Sequence, residues 1–68
     1  MSEIMFLVEA AQEGGFTARA FGADIFTEAD DLASLHTNVR DAVRCHFDDD
    51  KVPTMIRLHF TREEVIAA

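Results

Sequence analysis

With 68 residues the chain is one domain, near the lower limit at which a single core sustains folding, and its apolar fraction of 49% excludes disorder. Thirteen acidic against six basic side chains give a formal charge of −7. A net anion is poorly suited to neutralising phosphates, so direct nucleic-acid binding is not expected and a basic protein partner fits better, although such charge also keeps a small oligomer soluble. The lone Cys45 excludes an internal disulfide, no apolar run reaches the roughly 18 residues of a membrane span, and Met1-Ser2-Glu3 lacks the positive charge that opens a secretory signal, so a cytoplasmic protein is expected.

Residues Glu3 to Ala10 alternate, Ile4, Phe6 and Val8 against Met5 and Leu7, which is the period of a strand. Apolar residues on both of its faces predict that both are at least partly covered. Glu13-Gly14-Gly15 supplies a turn, because glycine reaches positive φ without steric cost. A returning strand from Phe16 to Phe21 sets Phe16, Ala18 and Ala20 against Thr17, Arg19 and Phe21, and Gly22 ends it. A short strand is predicted from about Asp24 to Ala29.

Asp30 and Asp31 precede Leu32 as the acidic cap of a helix. Leu32, Leu35, Val39, Ala42, Val43, His46 and Phe47 recur at helical spacing, which predicts a helix over residues 32–47. Asp48-Asp49-Asp50 ends it and Pro53 prevents its resumption. Residues Thr54 to Phe60 alternate again, Ile56, Leu58 and Phe60 against Met55, Arg57 and His59. Residues 61–68 carry no clear period, and a short helix, an exchanged strand and a frayed end are all open for them.

The order β-β-β-α-β defines an α+β domain in which one helix covers one face of a four-stranded sheet. Met5, Leu7, Phe21 and Met55 then fall on the uncovered face. A contiguous apolar patch on a small domain marks a contact surface, so a dimer or higher symmetric oligomer is expected. The interface candidates are Met5, Leu7, Phe21, Met55 and Arg57, with Val65 and Ile66 of the tail in support. Asp48, Asp49, Asp50, Glu63 and Glu64 are candidates for an acidic docking surface.

The hairpin with Glu13-Gly14-Gly15-Phe16-Thr17-Ala18, the segment Phe26-Thr27-Glu28-Ala29-Asp30 and the helix through Asp31-Leu32 and Val39-Arg40-Asp41-Ala42-Val43 together resemble the HicB-like antitoxin family. The resemblance covers nearly the whole of residues 1–68, as a single HicB-like domain. It implies a partial ribonuclease-H-like sheet with one packed helix, and a role in binding and masking a small basic HicA-type toxin that cleaves messenger RNA. It is nearest to the short stand-alone members without the C-terminal DNA-binding segment, which implies no repression of an operon and no assured toxin. Where the family usually opens its helix with threonine, leucine and two glutamates, this sequence has Asp31, Leu32, Ala33 and Ser34.

No catalytic group is expected. The ribonuclease H mechanism needs carboxylates converging on two metal ions, and the first strand offers Glu3 and Glu9 only at its ends. No metal site or cofactor is expected either: Cys45 and His46 point about 100° apart on a helix, and His59 belongs to the opposite sheet face from His46. His46 reads as a satisfied core or interface histidine, His36 as a packing residue at the edge of the stripe, and Cys45 as a half-buried spectator. Two rival readings remain, an orphan structural homo-oligomer and a small metal- or ligand-binding module using His46 and Cys45.

Overall fold

A computed structural model describes residues 2–62 and 64–68. It contains β1 (Glu3–Ala10), β2 (Phe16–Ala20), β3 (Phe26–Ala29), α1 (Leu32–His46) and β4 (Met55–Phe60). The expected α+β class and β-β-β-α-β order are those observed. The strands form one mixed sheet in the order β3-β2-β1-β4.

β1 lies inside the sheet. It pairs antiparallel with β2, Phe6 opposite Ala20 and Val8 opposite Ala18, and parallel with β4, from Glu3 opposite Met55 to Val8 opposite Phe60. Because side chains alternate across a strand, this register lines up Ile4, Phe6 and Val8 with Ala18, Ala20, Ile56, Leu58 and Phe60 on one face. α1 packs over that face, chiefly against β3 and β2. Its Leu35, Val39 and Val43 complete a core with Ile4, Phe6, Val8, Ala18, Ala20 and Ile25, in which Phe6, Val8, Ala18 and Leu35 are wholly buried.

The helix starts where an acceptor is available for its first unpaired donors. Asp31 is extended (φ −142°, ψ 170°), and its Oδ1 accepts from the Ser34 N–H at 2.7 Å. That hydrogen bond, assisted by the serine side chain, lowers the Asp31 carboxyl below its ordinary pKa of 3.8. At the other end the Phe47 N–H donates to Val43 O, and Arg44 and His46 occupy the last turn, where positive charge is favoured.

Four boundaries and two burials differ from the sequence expectation, the first being that of β4, which begins at Met55 rather than Thr54. β2 stops at Ala20, one residue before Phe21, and α1 stops at His46, one residue before Phe47. β3 begins at Phe26 rather than Asp24, although the Ala20 N–H still donates to Ile25 O at 3.0 Å and holds Ile25 in the core. His46 is exposed, not core, with its ring edge-on to Phe47 at 5.0 Å; Cys45 is exposed rather than half-buried. Both lie in the last turn of α1. Residues 61–68 form neither a helix nor a strand among those described.

The turn between β1 and β2 is fixed by two glycines at positive φ. Gly14 (φ 96°) has open space around it, whereas a Cβ on Gly15 (φ 84°) would lie 2.7 Å from Ala29 O. Gly15 therefore permits both the backbone conformation and the close approach of β3. In urea unfolding, Gly14→Ala should cost about 1–2 kcal/mol, the left-handed penalty alone, and Gly15→Ala clearly more; equal losses would show that the approach to Ala29 is not a constraint. The cap has its own signature. A carboxyl lowered by folding contributes stability that is complete above its unfolded value of 3.8 and is lost as pH falls through the folded value. Asp31→Asn keeps an N-cap acceptor and removes the titration, so its stability should fall less steeply than the wild type's below pH 3.8, as read from denaturation midpoints at successive pH.

Candidate functional site: the uncovered face of the sheet

The strand register assembles the opposite face row by row. Phe26 of β3 lies across from Arg19 of β2, Arg19 across from Leu7 of β1, and Leu7 across from His59 of β4. In the next row the Phe21 N–H donates to Met5 O at 2.9 Å, and Met5 faces Arg57. Glu3 faces Met55 in the row beyond. No helix covers this face, and Phe21, Phe26 and Met55 are each about half exposed, at 56%, 56% and 48%. Met5 and Leu7 are half-buried between them.

The face is apolar at its centre and charged at its margins. Arg57 Nε donates to Glu3 Oε1 at 3.1 Å, and its Nη2 lies 2.9 Å from the same oxygen. The hydrogen bond and the charge of Glu3 together raise the Arg57 pKa further above its ordinary value. Both side chains are open to solvent, so the pair adds little to stability. Toward the β3 edge of the same face, the Arg19 guanidinium carbon sits 5.9 Å from the centre of the Phe26 ring, a cation–π contact.

Five of the expected interface residues, Met5, Leu7, Phe21, Met55 and Arg57, are thus brought together. Phe26 completes the patch and was not anticipated; the available signal was the alternation Phe26, Glu28 against Thr27, Ala29, which a strand of four residues barely expresses. Val65 and Ile66 are not part of the patch. They are 93% and 81% exposed, and Val65 lies near Ala10, Gln12 and Thr61 beyond the hairpin end of the sheet. The acidic candidates do not form one surface. Asp48, Asp49 and Asp50 are exposed in the loop before β4, Glu64 is exposed after it, and β4 spans about 20 Å between them; Glu63 lies outside the described residues.

A second concavity lies on the helix side. α1 sits toward β2 and β3 and leaves the inner face of β4 only partly covered, which opens a groove of about 460 Å³ with Val39, Val43, Ile56 and Leu58 on its floor and His36, Arg40 and Arg44 on the helix flank. Among the described residues no three His, Cys, Asp or Glu side chains are grouped to hold a metal ion, and no helix is long and apolar enough to cross a membrane.

A protein of Archaeoglobus fulgidus named as a UPF0150 protein is 46% identical over 52 residues, which cover 76% of this chain and 77% of the relative. The chain belongs to the UPF0150 family. A UPF0150 protein of Thermotoga maritima is 32% identical over 65 residues, covering 96% of this chain and 91% of that one. No family model and no solved structure matches this UPF0150 chain. The fold and the open sheet face of this UPF0150 member therefore rest on its own residues.

Proposed function

We propose that this chain is a non-enzymatic protein–protein interaction module of the HicB-like antitoxin type, which self-associates through the uncovered face of its sheet and binds a small basic partner of the HicA type. The observation that carries the reading is the apolar centre of that face, Met5, Leu7, Phe21, Phe26 and Met55, left open by a fold that has one helix for two faces. Such a patch on so small a domain gains most by contact with another protein surface, and a second copy supplies a matching one. Its β1–β4 margin is suited to a two-fold pairing, since each copy carries both Arg57 and Glu3 there, and these can exchange partners across the contact.

The toxin-binding part of the proposal draws on the resemblance of the hairpin and helix start to the HicB-like family, and on charge. With thirteen acidic side chains against six basic, this protein attracts a basic partner at long range, and such complementarity acts mainly on the association rate. The exposed run Asp48-Asp49-Asp50 is the densest local source of that field. The sheet face and the acidic loop have separable roles, one in holding the oligomer and the other in steering the partner.

Light scattering on the protein alone, then mixed with a catalytically inactive HicA-type toxin, tests both. A defined oligomer is expected, and it should take up toxin; a monomer would sink the self-association reading, and an oligomer that takes up no toxin would favour an orphan structural assembly. Met5→Glu with Phe21→Glu should reduce the mass without loss of the folded circular-dichroism spectrum. Asp48→Lys with Asp50→Lys should slow toxin association at least tenfold at low salt and much less at high salt. An on-rate indifferent to these charges would remove the acidic loop from the mechanism.

A further inference from the structure

The groove between α1 and β4 and the C-terminal segment have complementary chemistry, yet within one chain they face away from each other. The groove floor is apolar, with Val39 and Val43 from the helix and Ile56 and Leu58 from β4. Its helix flank carries Arg40 and Arg44, one turn apart and exposed. Among the described residues neither makes an ion pair or a side-chain hydrogen bond. Two cations without partners beside an apolar floor are out of keeping with a chain of charge −7.

Residues 61–68 have the opposite character. Glu63 and Glu64 precede Val65 and Ile66 in the sequence, and both apolar side chains stand in solvent. The described contact of the Glu64 carboxylate is a 3.8 Å approach by Arg62, with both side chains mostly exposed. The segment also leaves the body of the protein. The long axis measures 52 Å, close to twice the about 27 Å spanned by β1. The radius of gyration of 13.4 Å exceeds the roughly 11 Å of a compact chain of this length.

The direction of departure sets who can occupy the groove. Thr61 donates both its N–H (2.9 Å) and its hydroxyl (3.2 Å) to Val8 O, so the chain continues past the end of β4 in the direction of the strand. The groove lies behind it, alongside Thr54, Ile56 and Leu58. To fill its own groove the segment must break the anchor at Thr61 and reverse over its own strand. A segment from another copy has no such constraint.

We propose that residues 61–68 of one copy dock in the α1–β4 groove of a second copy, with Val65 and Ile66 on the floor formed by Val43, Ile56 and Leu58 and with Glu64 paired to Arg40 or Arg44. Two-fold reciprocity makes the exchange closed, each chain giving one segment and receiving one. The contact lies on the helix side of the sheet, so it is separate from the uncovered face and does not rest on the antitoxin reading.

Two double variants of the full chain test it, both at exposed positions: Val65→Asp with Ile66→Asp in the segment, and Arg40→Glu with Arg44→Glu at the groove. Circular-dichroism melting checks that each is folded. Light scattering should give half the wild-type mass for each variant. Mixing the two should then produce a complex that neither forms alone, because one intact segment meets one intact groove; a titration with one labelled variant reads it. A wild-type mass retained by either folded variant, or two variants that ignore each other, would overturn the proposal. So would a wild-type protein whose mass is that of one chain. Met5→Glu with Phe21→Glu, on the other side of the sheet, should leave the binding between the two variants intact, which separates failure here from failure of the sheet-face contact.

Discussion

The parallel pairing of β1 with β4 is the constraint from which the rest of the structure follows. Ile4, Phe6 and Val8 line up with Ile56, Leu58 and Phe60 only if the last strand enters the sheet beside the first and in the same direction. A tight turn cannot join parallel neighbours, so the chain must cross one face of the sheet to arrive there, and α1 is that crossing. The single helix is thereby committed to one face. Its lean toward β2 and β3 leaves a groove along β4, and the other face has nothing left to cover it. The buried core, the groove and the open patch are three results of one connection.

Much of this was legible in the sequence, for physical reasons that also mark where legibility ended. Alternation over residues 3–10 and 54–60 repeats often enough to define both faces, and that is how Met5, Leu7, Met55 and Arg57 could be grouped before any pairing was known. The helix announced itself through Leu35, Val39 and Val43 and through the Asp31 cap. Sheet order was not legible, because local period says nothing about which strand lies beside which. Phe26 escaped for want of length: two side chains per face do not make a pattern, and its face is set by pairing with Arg19. Leu32 and His46 lie on the helical stripe and are nonetheless exposed, since a stripe gives an angle around the helix axis and not whether a strand lies under that turn. The acidic residues looked like one group by composition; β4 separates them.

The charge and the apolar patch are two answers to the same small size. A domain this short buries a smaller share of its surface than a larger one and leaves more apolar area exposed. Its surplus of carboxylates discourages indiscriminate association, and the uncovered face is kept comparatively free of unpaired charge. On that face Arg57 is neutralised by Glu3 and Arg19 is spread over the Phe26 ring, so the two cations closest to the apolar centre are already partnered. On the helix side Arg40 and Arg44 have no such partners among the described residues.

The late arrival of β4 bears on how the protein is made. The other sheet partner of β1 is β2, its neighbour in the chain, and β3 and α1 too lie within the first 46 residues. Only β4 must wait, because Glu3 meets Met55 across almost the full length of the chain. In folding, the hairpin, β3 and α1 can form from contacts near in sequence while the far edge of β1 is still unpaired, and for that interval its free amides offer a template to any extended segment nearby. Whatever slows the docking of β4 therefore lengthens the time for which that edge can pair with another chain.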